Sequence, residues 1–330
     1  MESHQHFVGA DISKRTIDLY LRTSGRYLKI SNDEKGFKVL LQSFESEGVP
    51  LAEIVLVMEH TGYYSYVFEK FLHRQGIRFV KVSALAIKRS LGIVRGKSDR
   101  IDASRIAEYG SQHMAKLKFR KESSKAMDRL RLLIMGRNKY IKIRTSLLNT
   151  IEELRNMGVS SRDIIFRSQQ TLVNGVNRQI EALEKEMESV TREDEKLLTN
   201  YPLLKSIKGV GPIVAFHVLI KTNNFAWFDN ARQFACYCGL APFEHTSGTS
   251  IRGRTRVSHL ADKQMKTLFD LAAKVAIQHD PELKEYYTRR VEEGKSKMST
   301  INVVRNKIVG RMFSVIKRQV PYIQADQEAA

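Results

Sequence analysis

An α/β domain followed by an all-α remainder is what this sequence predicts, and three observations predict it. Short apolar strand-like runs alternate with helical patterns through the first third, the apolar period lengthens to that of long helices after residue 118, and helical segments with more loops follow from Tyr201. The 330 residues accordingly divide into segments 1–118, 119–200 and 201–330. Lys and Arg number 55 against 36 Asp and Glu, a formal net charge of +19 that implies a polyanionic partner. An apolar fraction of 42% supports packed cores and excludes disorder of the whole chain. No run approaches the roughly 20 apolar residues that span a bilayer, and the opening residues carry neither the basic nor the apolar part of a signal peptide. A soluble cytoplasmic protein is expected. Cys236 and Cys238 are the only cysteines, which excludes a disulfide framework, and without two further ligands at metal spacing they make no zinc site.

The first segment opens on Phe7–Ile12, an apolar run that reads as a strand; Thr16 to Leu21 reads as its partner across a turn, and a third strand around Tyr27–Ile30 completes a meander. A helix from Glu34 to about Glu47, a buried strand Ile54–Met58, a helix from about Tyr64 to Gln75, a strand Ile77–Val82 and a helix opening near Asp99 follow. Three antiparallel strands and then β-α-β-α is the order of an RNase H-like fold. In the middle segment Met127, Leu130, Ile134, Ile141, Leu148 and Ile151 keep heptad spacing, and Leu172, Val176, Ile180, Leu183, Met187 and Val190 form a second stripe. Two helices of about 30–36 residues then predict an antiparallel hairpin or a dimerising coiled coil. Arg137 and Arg144 fall on seam positions, in a stretch from Arg120 to Arg144 whose nine basic residues face only Glu122 and Asp128, and so read as a nucleic-acid face rather than a core. In the mostly helical third segment, Gly209-Val210-Gly211-Pro212 fits a helix–hairpin–helix turn. There Gly209 and Gly211 serve either backbone contact with a phosphate or close helix packing. Phe225, Trp227 and Phe228 read as core.

Four carboxylates stand where chemistry is expected. Asp11 ends the first strand, Glu59 ends the buried strand, and Asp99 and Asp102, three apart at a helix start, share one helical face. In an RNase H-like sheet the first and fourth strands are neighbours, so Asp11 and Glu59 project from adjacent strand ends toward that helix. Converging carboxylates repel one another unless cations neutralise them. Two Mg²⁺ ions, for which Mn²⁺ substitutes, would orient a nucleophile and stabilise the leaving oxygen of a phosphodiester. Taken singly, each acid has a plainer reading as a cap or a solvated strand end. Between Arg74 and Ser98 there are seven basic residues and no acid, among them Lys88, Arg89 and Arg95; these, with Arg252, Arg254 and Arg256 downstream, read as phosphate contacts.

The stretches Val8-Gly9-Ala10-Asp11, Met58-Glu59-His60-Thr61-Gly62-Tyr63 and Lys97-Ser98-Asp99-Arg100-Ile101-Asp102-Ala103 resemble the DEDD motif set of bacterial insertion-sequence transposases with a RuvC-like domain, a family that includes site-specific DNA invertases. Ala231-Arg232-Gln233-Phe234-Ala235, Gly239-Leu240-Ala241-Pro242 and Ser247-Gly248-Thr249-Ser250-Ile251-Arg252-Gly253 are similar to that family's C-terminal motif. The resemblance runs over nearly the whole chain. It implies a RuvC-like catalytic domain and a C-terminal transposase domain, with Asp11, Glu59, Asp99 and Asp102 as ligands of Mg²⁺ and Ser247 as the nucleophile of a covalent phosphoserine–DNA intermediate. It also implies a structured guide RNA pairing with donor and target DNA, a homo-oligomer (dimer or tetramer) in which one protomer's carboxylates meet another's serine, no membrane, and a place at the bacterial nucleoid. One departure is His259-Leu260-Ala261-Asp262, where many relatives have a Lys-x-Gly step. On the residues alone Ser247 is a loop serine beside Gly248, Ser250 is an equal candidate, and His245 is a polar loop residue. The alternative reading is a RuvC-like metal-dependent nuclease or junction resolvase in which the same carboxylates activate water. A phosphotransferase of the actin-like ATPase type lacks its second Gly-rich phosphate loop, and a binding protein without chemistry would show no divalent-metal dependence.

Overall fold

The computed structural model describes residues 5–60, 62–90, 92, 96, 98–247, 251–257 and 261–323, with the backbone alone for 243–247 and 251–256. The chain forms two compact units, Met1–Glu122 and Ser123–Ala330.

The first unit is built on a five-stranded sheet. A meander of β1 (His6–Ile12), β2 (Thr16–Leu21) and β3 (Arg26–Ser31) leads into α1 (Glu34–Ser46), β4 (Ile54–Glu59), α2 (Tyr66–Arg74), β5 (Arg78–Val82), α3 (Ala84–Ser90) and α4 (Asp99–Gln112). The strand order is β3-β2-β1-β4-β5, with β1 antiparallel to β2 and parallel to β4. The alternation of β1 explains its two faces. Val8, Ala10 and Ile12 bury against Phe37 and Leu40 of α1 and Phe68 and Leu72 of α2, whereas Phe7 buries on the other side with Val55, Val57, Val80 and Ile106 of α4. β4 lies between β1 and β5 with both faces covered, so its five residues Ile54 to Met58 are all fully buried, the continuous apolar run expected of a parallel strand. Each such side chain contributes about 1.5–3 kcal/mol by leaving water. The short helix α3 is not foreshadowed by the sequence pattern; Ile87 is its only buried residue.

Among the described residues the second unit is helical except for one hairpin. It runs α5 (Lys125–Asn156), α6 (Ile164–Val190), α7 (Glu195–Lys205), α8 (Pro212–Thr222), α9 (Ala231–Tyr237), β6 (Pro242–Ser247), β7 (Ile251–Val257), α10 (Lys263–His279), α11 (Pro281–Glu292) and α12 (Lys297–Arg318). α5 and α6 pack as an antiparallel hairpin closed by apolar clusters at both ends. At the base Leu130 and Ile134 join Met187 and Val190 in the core shared with α7 to α12; at the tip Ile151 and Leu154 meet Phe166 and Val173. Phe166, Val173, Ile180 and Met187 are buried along α6 at seven-residue spacing, with Val190 buried three residues further on, and Leu172 lies outside this stripe and is exposed.

The polar middle of the hairpin gives its arginines partners. The Nε of Arg137 donates to Glu184 Oε1 at 2.6 Å, and Arg144 reaches Asn177 Oδ1 at 3.4 Å. Both seam arginines therefore help close the hairpin on itself, where α5 buries no residue between Ile134 and Ile151. Glu244 to Ser247, expected to lie in a loop, instead fall in β6, which pairs antiparallel with β7. Among the described residues no helix is long and apolar enough to cross a membrane.

Candidate active site

The carboxylates are placed by a glycine. A Cβ on Gly9 of β1 would lie 2.0 Å from the Ala103 carbonyl oxygen and 2.4 Å from the Ala107 nitrogen, so only glycine lets the backbone of α4 rest directly on the strand. Ala103 and Ala107 are fully buried at this contact, and further along α4 Gly110 approaches Val57 in the same way. That seat carries the first turn of α4, with Asp99 and Asp102, to the end of β1. Ser98 caps the helix by accepting from the Ile101 N–H at 3.3 Å, and both acids lie where the positive end of the helix dipole favours negative charge.

Asp11 lies two residues beyond Gly9 on the same face of β1. Glu59 follows Met58, which pairs in parallel with Ala10, so the two acids occupy adjacent strand ends as expected. Both strand-end acids feel the charge of Asp102 on α4. Burial, then the charges of Asp102, Asp18 and Asp99, push the Asp11 carboxyl above its ordinary value, against the pull of the Ile12 N–H. Burial, then Asp11 and Asp102, push Glu59 up. The cluster is short of positive charge.

A fifth acid was not singled out from the sequence. Asp18 of β2 stands directly opposite Asp11 in the antiparallel register and is 4% exposed. The Tyr27 hydroxyl donates to its Oδ1, and Lys29 Nζ lies 3.3 Å from that oxygen and 3.3 Å from Asp99 Oδ2. Arg105, one turn further along α4, donates to Asp102 Oδ1 at 3.2 Å and to the Gly96 carbonyl at 3.1 Å. An acid inside the otherwise apolar run Thr16–Leu21, facing Lys29 across the next pair of strands, was the available signal.

The donor set, four carboxylates at one end of the sheet of which Asp11 and Glu59 have raised proton affinity, suits a hard divalent cation. As the side chains stand, with Asp99 drawn to Lys29 and Asp102 to Arg105, no three His, Cys, Asp or Glu groups among the described residues are gathered closely enough to hold one ion. When bound, a divalent ion would supply a Lewis acid and an activated nucleophile to a phosphodiester.

The basic residues separate into engaged and available. Arg74 pairs with Glu34, Arg78 lies over the Phe119 ring, and Lys81 donates to Glu69 at 2.6 Å and Ser65 at 2.8 Å, so these three serve the first unit itself. Lys88 and Arg89 are exposed on α3. Arg95 lies outside the described residues, as do Gly248, Thr249, Ser250 and His259.

In the second unit Ser247 is the last residue of β6, paired with Ile251 across the hairpin turn. Arg252, Arg254 and Arg256 fall on β7, whose pairing with β6 shifts register between Phe243 and His245. Both roots of the hairpin are fixed. The Leu240 carbonyl accepts from Asn302 at 2.8 Å and Asn306 at 3.0 Å, and Asp262 accepts from Lys221 at 2.7 Å and from the Tyr237 hydroxyl at 3.0 Å while capping α10 through the Met265 N–H. Burial pushes the Asp262 carboxyl up, but these donors outweigh it and hold it below the ordinary carboxylate range. The unusual residue of the 259–262 stretch is thus a clamp. Gly209 has φ +88° and its missing Cβ would meet the Ala272 carbonyl at 2.3 Å, which assigns it to close packing against α10; Gly211 precedes α8 in open space. Cys238 is buried, and burial pushes its thiol up.

Residues 8–155 match a DEDD transposase model of the IS110 type, described as a transposase, and residues 201–288 match a model described as the transposase IS116/IS110/IS902 family. The pilin gene-inverting protein of Moraxella lacunata is 27% identical over 328 residues, covering 96% of this chain and 97% of the relative. The protein of the same name from Moraxella bovis is 26% identical over 326 residues with the same coverage. The transposase for insertion sequence element IS1111A of Coxiella burnetii is 23% identical over 296 residues, 81% of this chain and 79% of the relative.

Proposed function

The chain belongs to the IS110 family of transposases, recombination enzymes that act on DNA, and from that premise we propose that Asp11, Glu59, Asp99 and Asp102 form a RuvC-like, Mg²⁺-dependent site that cuts DNA strands during transposition or inversion. A DEDD transposase domain implies divalent-metal use. The single observation that carries the reading is the seat of α4 on Gly9, which brings two helix carboxylates to two adjacent strand ends on one face of the sheet. In this site the carboxylates would hold the ion, which would supply a Lewis acid and an activated water to a phosphodiester, the chemistry of a metal-dependent nuclease or resolvase. Lys88 and Arg89, exposed on α3, are suited to the DNA backbone. Such an enzyme works in the cytoplasm, at the nucleoid. The test is strand cleavage of supercoiled DNA in Mg²⁺ or Mn²⁺ and in chelator: Asp11→Asn and Asp102→Asn abolish cleavage and retain nucleic-acid binding. Undiminished cleavage by Asp11→Asn would remove the metal assignment.

A second reading, in which Ser247 forms a covalent phosphoserine with DNA, is favoured by one placement. Ser247 falls within the stretch 201–288 that matches the second family model and stands at the end of a strand whose roots are both pinned. A phosphoserine adduct lost in Ser247→Ala establishes it. An adduct retained in that variant moves the role to another residue. Guidance by a structured RNA belongs to the same reading and is supported by the +19 charge; sequencing of co-purified RNA tests it.

A further inference from the structure

We propose that Lys29 is a resident counter-ion of the carboxylate site, holding Asp99 away from the metal position until a divalent cation displaces it. The inference rests on the metal-site reading above and deepens it. Lys29 is fixed in place by register: it stands opposite Asp18 in the β2–β3 ladder, and Asp18 stands opposite Asp11 in the β1–β2 ladder, so one row across three strands reads Asp11, Asp18, Lys29. Its ammonium lies 3.3 Å from Asp18 Oδ1 and 3.3 Å from Asp99 Oδ2, and so ties the helix acid to the outer end of that row.

The two ends of this bridge differ in strength. Asp18 is buried and also receives the Tyr27 hydroxyl, so it is held as part of the sheet. Asp99 is 64% exposed and the Lys29 side chain is 48% exposed, so the Lys29–Asp99 pair is a water-screened contact of the kind that is easily exchanged. A divalent ion offers Asp99 twice the charge and direct coordination of its carboxylate oxygen, whereas Lys29, released from Asp99, keeps Asp18. This accounts for a site whose four acids influence one another electrostatically while no three of them among the described residues are gathered for one ion. Arg105 restrains Asp102 similarly, but it also holds the Gly96 carbonyl and is 17% exposed, which makes it the firmer of the two.

The test uses the full chain without DNA. Mn²⁺ binding is measured by calorimetry for the wild type, Lys29→Met, Lys29→Arg, Asp99→Asn and the Lys29→Met/Asp99→Asn double variant, with the thermal midpoint of each metal-free protein. The expected result is that Lys29→Met binds Mn²⁺ on the order of threefold to tenfold more tightly, the range for removal of one screened competing charge. Its metal-free form melts lower, Lys29→Arg stays near the wild type, and the gain disappears in the Asp99→Asn background. Binding by Lys29→Met that is unchanged or weaker overturns the proposal, as does a gain that persists without the Asp99 carboxylate. A wild type that binds no divalent ion instead overturns the metal-site reading itself.

Discussion

A missing methyl group decides the geometry of the first unit. Gly9→Ala would place a carbon 2.0 Å from the Ala103 carbonyl, backbone against backbone, where nothing flexible can give way. The expected cost is about 3 kcal/mol of stability, with α4 lifted and metal binding lost, read by chemical melting and Mn²⁺ titration. A variant with normal stability and normal metal binding would show that α4 does not depend on this seat. The raised carboxyls of Asp11 and Glu59 set a second expectation, whose sign differs from that of a salt-bridged acid. Their folded forms hold protons more tightly than their unfolded forms, so the metal-free protein loses stability as pH rises from the ordinary carboxylate range through the raised values, and below that range they have no effect. Asp11→Asn should therefore raise the melting temperature of the metal-free protein more at pH 7.5 than at pH 4, as thermal unfolding at the two values will show. The positions of Asp11, Glu59, Asp99 and Asp102 at strand ends and a helix start were legible because strand ends and a capped helix start are local features. Asp18 and Lys29 were not, since their importance comes from cross-strand register, which joins residues that no local period connects.

Elements were read well where burial is one-sided and poorly where polar groups do the packing. The meander, the buried strand β4 and the elements α1, α2, β5 and α4 around it follow from alternation and apolar runs, to within two residues at most ends. The two helices of the long hairpin follow from the apolar period, whereas its polar middle carries no period that names its partner. A seam arginine signals a partner without saying whether that partner is phosphate or, as here, Glu184 and Asn177 on the returning helix. Arg137→Ala should consequently lower stability by about 0.5–1 kcal/mol and leave the salt dependence of single-stranded nucleic-acid binding unchanged. Replacing Lys88 and Arg89 by alanine should flatten that dependence by about 0.7 in the log–log slope for each phosphate left unneutralised. Salt titrations of the two proteins separate these outcomes, and a flattened slope for Arg137→Ala would return that residue to the nucleic-acid surface. The strands β6 and β7 escaped sequence reading because Gly248 and the polar run around Ser247 resemble loop composition, while their pairing is set by roots held at Leu240 and Asp262.

For the whole molecule, the family relationship spans almost the full length of the inverting relatives, and the carboxylate unit and the serine hairpin fall in separately matched regions. The closed α5–α6 hairpin removes the argument that its arginines need a coiled-coil partner, so the expectation that carboxylates and serine act from different protomers rests on the family resemblance. Mixing Asp11→Asn with Ser247→Ala tests it: recovered activity, with an adduct on the Asp11→Asn protomer alone, supports action across protomers, and a dead mixture despite mixed oligomers places both on one chain. The central claim, that Asp11, Glu59, Asp99 and Asp102 together hold a divalent ion, is tested most directly by electron paramagnetic resonance of Mn²⁺ added to the full chain. The account predicts bound Mn²⁺ in the wild type and binding at least about tenfold weaker in both Asp11→Asn and Glu59→Gln. Equal Mn²⁺ binding by the wild type and both variants would contradict it.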